Sequence, residues 1–115
     1  MRRGEIRLVD LEPVLGAEAN KRRPAVIVSN DGANVAAERL GRGVITVVPV
    51  TSNTARVYPF QVLLDAARTG LDGDSKAQAE QVRSIAVERV GPLLGRVPAE
   101  LIGELDEALR LHLAL

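Results

Sequence analysis

The stretch Arg22-Arg23-Pro24-Ala25-Val26-Ile27-Val28-Ser29-Asn30 is answered some twenty residues later by Val47-Val48-Pro49-Val50-Thr51-Ser52-Asn53. Both are apolar, β-branched runs that read as buried strands, and a chain that contains them is committed to a sheet. One run has a cationic pair at its start, and the other has a row of hydroxyl and amide groups at its end. If the two strands lie side by side, a guanidinium and a hydroxyl meet at one end of the sheet. That pairing suits a phosphodiester, because arginine offers a rigid fork of donors to phosphate oxygens and threonine adds a short neutral donor.

The remaining pattern is that of a small, mainly β domain. Glu5-Ile6-Arg7-Leu8-Val9-Asp10-Leu11 alternates polar and apolar, which predicts a half-buried strand. Pro13 and Gly16 punctuate a loop that runs to about Arg22, long for a hairpin connection. Pro24 falls at the first position of the next strand, where a missing N–H is tolerated. Asn30-Asp31 predicts the N-cap of a short helix through Arg39, stopped by Gly41 and Gly43. Val44-Ile45-Thr46-Val47-Val48 is a strand, Thr51–Tyr58 a polar loop and Phe60-Gln61-Val62-Leu63-Leu64 a further strand. Gly70-Leu71-Asp72-Gly73-Asp74 is turn material. Lys76–Gln81 reads as a short strand in spite of its alanines, and Pro92 and Gly95 predict that Val87–Val97 is extended or irregular. Pro98-Ala99-Glu100 opens a last helix whose apolar stripe is Leu101, Ile102, Leu105, Leu109 and His112. No linker or repeat divides the 115 residues, so residues 1–115 are read as one domain. Its class is α+β, mainly β: a small curled antiparallel sheet or barrel with a short helix and a C-terminal helix.

The inventory removes several chemistries. There is no cysteine, hence no disulfide framework and no thiolate metal site. A single histidine, His112, cannot run a two-histidine ribonuclease mechanism, and its place near a helix end speaks for packing rather than for a Ser-His-Asp triad. Asp72 and Asp74 share a Gly-rich turn without a complete ligand set, so turn chemistry is the reading; no metal and no cofactor are expected. Tyr58 and Phe60 are the only aromatic residues, which speaks against modules that stack bases on aromatic platforms. No apolar run reaches bilayer length, and Met1-Arg2-Arg3-Gly4 leads into a charged, alternating segment with no signal-peptide pattern. Net charge is zero, which argues against a generic nucleic-acid binder, yet residues 1–57 hold nine Lys/Arg against six Asp/Glu. Arg2, Arg3, Arg7, Lys21, Arg22, Arg23, Arg39, Arg42 and Arg56 form either a basic face or ordinary solvated charges. Periodicity alone likewise leaves Arg23 as a surface charge at a strand end and Thr51 as a turn hydroxyl.

Four segments in order, Gly4-Glu5-Ile6, Arg23-Pro24-Ala25-Val26-Ile27-Val28, Val48-Pro49-Val50-Thr51-Ser52 and Glu80-Gln81-Val82-Arg83-Ser84-Ile85, resemble the MazF/PemK family of bacterial toxins. The resemblance spans essentially the whole chain. It implies an SH3-like, CcdB-like barrel and a metal-independent, sequence-selective endoribonuclease. In that family the Arg of the Arg-Pro motif and the Thr after the Pro-containing strand are the catalytic pair, which here are Arg23 and Thr51. The implied reaction is attack of a ribose 2′-hydroxyl on the adjacent phosphorus, leaving a 2′,3′-cyclic phosphate and a 5′-hydroxyl. The loop from Glu12 to Arg22 resembles the family's segment over the RNA site. Within it Glu18 is a candidate base, or else a solvated charge, and Ala17 stands where many members carry Ser, so no role passes to it. Gln81 matches a position that contacts a base, although a buried amide tying strands together fits it equally. Lys21, Ser52, Asn53, Thr54 and Arg56 complete the expected RNA contacts. The implied partners are single-stranded RNA, a MazE-like antitoxin with a disordered acidic tail, and a second copy in a homodimer, all in the bacterial cytoplasm and away from the membrane. Two rival readings differ in class. A CcdB-like toxin that poisons DNA gyrase relies on a Trp near its C-terminus, whereas this chain has no Trp and ends Leu113-Ala114-Leu115. A degenerate barrel kept as a binding module is left open by Ala17.

Overall fold

In the computed structural model, residues 1–11, 15–17 and 22–115 are described. They form β1 (Glu5–Asp10), β2 (Arg22–Ile27), α1 (Asp31–Leu40), β3 (Val44–Thr51), β4 (Gln61–Leu64), α2 (Ala66–Thr69), β5 (Ser75–Gln78), β6 (Arg83–Ala86), β7 (Val90–Arg96) and α3 (Ala99–Leu113). The seven strands make an antiparallel sheet in the order β4-β5-β3-β2-β1-β7, with β6 also on β3. Among the described residues no ladder joins β4 to β7, so the expected barrel is open, while the α+β, mainly β class stands.

Strands β2 and β3 are continuous apolar runs because both their faces are covered. Val26, Val48 and Val50 point into one cluster with Ile6, Val62, Leu64, Leu101 and Leu105, roofed by α3. Ala25, Ile27, Ile45 and Val47 point into a second cluster with Val9, Leu11, Ile85 and Ala37 of α1. Strands that lie between two cores lose the polar alternation of a half-buried sheet. Leu101 and Leu105 are fully buried, and each contributes about 1.5–3 kcal/mol by removing its side chain from water. Helix α1 starts and stops as its caps dictate. The Asn30 Oδ1 accepts from the Ala33 amide at 2.8 Å, and Gly41 adopts the left-handed conformation (φ 65°) that terminates the helix.

In the C-terminal third, Val87–Val97, expected to be extended or irregular, is mostly extended: a single 3₁₀ turn at Val87–Arg89 leads into strand β7. Pro92 is tolerated there because β7 is an edge strand, and its pairing with β1 passes through two register shifts. Gly95 is required by close approach, since a Cβ at that position would lie 2.3 Å from the Thr69 carbonyl oxygen. The strand expected at Lys76–Gln81 is β5, displaced to Ser75–Gln78, and Ala79–Gln81 is a 3₁₀ turn. Strand β6 gave no sequence signal, having four residues of which only Ile85 is buried. The α3 stripe is buried at Leu101, Leu105 and Ala108, but its last turn is exposed, His112 included.

Candidate active site

The site begins where the β2–β3 ladder ends. The recorded pairs are Ile27 with Val47, Val26 with Val48 and Ala25 with Pro49. Next along β2 comes Pro24, so prolines stand on both strands at this point, each without an N–H to donate. The same register carried two residues further sets Arg23 opposite Thr51. Here a cavity of about 200 Å³ opens, lined by Arg23, Pro24, Val50, Thr51, Ser52 and Ser75. Arg23 and Thr51 are half-buried, anchored in the sheet with access to solvent.

Two local bonds shape the chemistry. The Thr51 Oγ1 accepts from the Asn53 amide at 3.3 Å, which leaves the hydroxyl proton to be donated into the cavity. The Asn53 Oδ1 in turn accepts from the Ala55 amide at 3.3 Å, an Asx turn that sets the course of the loop. On the other side of Thr51, β5 places Lys76 directly opposite. Lys76 is only 8% exposed; its Nζ donates to the Arg56 carbonyl at 2.6 Å and stands 5.9 Å from the centre of the Tyr58 ring. Arg23, Thr51 and Lys76 thus form a row across three strands on one face, since directly opposed residues share a face. Nothing in the residue pattern singles out Lys76, whose neighbours in β5 are small or polar; only its cross-strand pairing reveals it.

The expected site residues separate into groups. Arg23, Thr51 and Ser52 line the cavity, and Asn53 bonds to Thr51. Arg56 is exposed in the same loop, where its Nη1 donates to the Tyr58 hydroxyl at 3.2 Å. Gln81 does not line this cavity; its Nε2 donates to the Ala17 carbonyl at 3.1 Å. Glu18 and Lys21 lie outside the described residues. Of the nine cations read as either a basic face or solvated charges, Arg2 pairs with Asp31, Arg3 with Asp106 and Arg7 with Glu5. Asp74, in the Gly-rich turn, accepts from the Ala66 amide at 2.8 Å, which is turn chemistry. Among the described residues no group of three or more His, Cys, Asp or Glu side chains is placed to hold a metal ion, and no helix is long and apolar enough to cross a membrane. A larger depression of about 680 Å³ lies between Pro59, Gln61 and the α3 carboxylates Glu100, Glu104 and Glu107. That acidic lining repels a polyanion, so the smaller cavity beside Arg23 is the one suited to phosphate.

Comparison with known families puts a chain of this fold in a class of small toxin. The family described as PemK-like, MazF-like toxin of type II toxin–antitoxin system matches residues 2–113, and the chain belongs to it. It is 69% identical over 115 residues to "Endoribonuclease MazF9" of Mycobacterium tuberculosis, covering 100% of this chain and 98% of that protein. It is 31% identical over 115 residues to "Endoribonuclease EndoA" of Bacillus subtilis, covering 100% and 96%. The structure superposes on the crystal structure of MazE–MazF from Deinococcus radiodurans with a TM-score of 0.73 at 26% identity, covering 100% of this chain and 96% of that one.

Proposed function

We propose that this chain is the endoribonuclease toxin of a toxin–antitoxin pair, cutting single-stranded RNA with Arg23 and Thr51 as its catalytic residues. The observation that carries the reading is the open cavity that Arg23 and Thr51 both line, just past the last pair of the β2–β3 ladder. Family membership and the full-length relatives named as endoribonucleases support it. The 2′-hydroxyl of one ribose attacks the adjacent phosphorus, and the 5′-oxygen of the next nucleotide leaves, giving a 2′,3′-cyclic phosphate and a 5′-hydroxyl. The nucleophile is tethered next to its target, so the intramolecular advantage is built into the substrate. The protein's part is to stabilise charge on the non-bridging oxygens as the phosphorane forms. Arg23 supplies a permanent fork of donors, and Thr51, whose oxygen already accepts from the Asn53 amide, donates a hydrogen bond to a second oxygen. Arginine is too weak a base at neutral pH for the 2′-hydroxyl proton. Glu18, in the segment before β2, is the candidate for that step.

Unpaired bases expose their edges, which makes single strands the natural substrate for a selective cut. In the same reading a cognate antitoxin lays an acidic tail over Arg23, competing with RNA for one positive field, and the toxin acts as a homodimer in the bacterial cytoplasm. The test is incubation of the pure protein with mixed-sequence single-stranded RNA in excess EDTA, beside the Arg23→Ala variant. Discrete fragments ending in cyclic phosphate, absent from the variant, are expected. Intact RNA across a range of substrates overturns the reading and makes gyrase the next target to test.

A further inference from the structure

We propose that Lys76 is a positioning residue for RNA binding: its side chain fixes the loop between β3 and β4, residues 52–60, so that Ser52, Asn53 and Arg56 are held ready for the substrate. The proposal rests on the endoribonuclease reading of the adjacent cavity. A lysine at 8% exposure is unusual, because burying a charged group is costly unless something replaces its water. Among the described residues Lys76 makes no ion pair with a carboxylate. Its partners are neutral: the Arg56 carbonyl at 2.6 Å and the face of Tyr58. The cation is therefore not cancelled, and it adds to the positive field of Arg23 beside the cavity.

Its place explains what it holds. The backbone of Lys76 pairs with Thr51, where the loop leaves β3, and its side chain grips Arg56 at mid-loop. One residue thus ties the beginning of the loop to its middle. The far end is held separately: the Gln61 Oε1 accepts from the Tyr58 amide at 3.1 Å, and its Nε2 donates to Glu80 at 2.8 Å. Between these anchors residues 52, 53 and 55–59 are exposed, with little buried surface of their own to order them. A loop ordered in advance spares the substrate the entropy of ordering it, and the saving appears in affinity.

The experiment compares wild type, Lys76→Met and Lys76→Arg in amide hydrogen exchange and in RNA cleavage kinetics, with folding checked by melting temperature. Lys76→Met keeps the length of the side chain and removes the donor. Faster exchange confined to residues 52–58 is expected, with KM for RNA raised about tenfold and kcat nearly unchanged. Lys76→Arg, which keeps a cationic donor, restores loop protection and most of the KM. Unchanged loop exchange in Lys76→Met overturns the proposal, and so does a fall in kcat with KM intact. A destabilised Lys76→Met whose exchange rises throughout the sheet, with Lys76→Arg equally unstable, makes the residue merely structural. If wild type cleaves no RNA, the endoribonuclease reading fails by itself, and loop exchange still decides whether Lys76 is the latch.

Discussion

The two ends of the β2–β3 pair carry polar side chains in opposite conditions. At the end near α1, Asn34 is fully buried; its Nδ2 donates to the Ser29 carbonyl at 2.8 Å, and the Ser29 hydroxyl donates back to its Oδ1. The Thr46 amide donates to the Ser29 Oγ at 3.1 Å. Arg3 closes this end further, its Nε donating to the Val28 carbonyl at 2.8 Å and its Nη2 to Asp106 at 2.6 Å. At the other end Arg23, Thr51 and Ser52 surround an open cavity. Both ends are polar and both close the same two strands. At the first end the polar groups bond to one another inside the protein and hold the sheet together, whereas at the second they line a cavity that a ligand can enter. The contrast gives the closed end a structural part and, on the proposed reading, the open end a functional one, and it is breakable from either side.

The largest effect is expected at Arg23. Arg23→Ala lowers the rate of RNA cleavage by about a hundredfold or more, the usual cost of losing one preorganised donor to a developing oxyanion. Its melting temperature stays close to wild type, because the side chain is half-buried at a strand end. Thr51→Val comes next: it keeps shape and β-propensity but loses the neutral donor, for roughly a tenfold to hundredfold loss. Thr51→Ser retains most activity. Full cleavage by either Arg23→Ala or Thr51→Val would remove the function assigned to the open end. Asn34→Ala works in the opposite sense. It leaves the partly buried hydroxyl of Ser29 without its acceptor and costs about 1–3 kcal/mol of stability in urea denaturation, while cleavage per folded molecule is unchanged.

This contrast was only partly visible in the sequence. The strands were legible because β-branched runs between two cores carry a strong signal, and α1 because Asn30 and Gly41 are explicit caps. Arg23 and Thr51 were legible as chemistry but not as neighbours: a one-residue change of register would have put them on opposite faces. The resemblance to the toxin family singled them out as a pair, and the ladder from Ala25–Pro49 to Ile27–Val47 supplied the register. Lys76 was illegible, since its burial depends on the Arg56 carbonyl and Tyr58, which lie about twenty residues away in the chain. Strand β7 was legible only as extended or irregular, because Pro and Gly are breakers in isolation, and only the edge position and the Thr69 carbonyl show why each is tolerated in a paired strand.

The smallest expected effect sharpens the comparison from the closed end, through Glu5. Its side chain is buried near Gly4, whose amide donates to the Ile27 carbonyl at 2.8 Å. Burial alone would push the carboxyl upward. The hydrogen bond and charge of Arg7 outweigh it, helped by the Arg2 main chain and the N-terminal amine, so the pKa falls below its ordinary value of 4.5. Arg7 Nη2 stands 2.8 Å from Glu5 Oε1, and Arg96 Nη1 3.4 Å from Oε2. With the folded value below the unfolded one, the unfolded chain takes up the proton first as the solution is acidified. The carboxylate's contribution is therefore complete above about pH 4.5 and is lost as pH falls through the lower, folded value. Melting temperature measured from neutral to acid pH should fall less steeply at the acid end for Glu5→Gln than for wild type, the variant having already lost part of that stability at neutral pH. Parallel curves would mean that the Glu5 carboxylate is not what holds this end closed, and the arginine contacts with backbone carbonyls would carry that role instead.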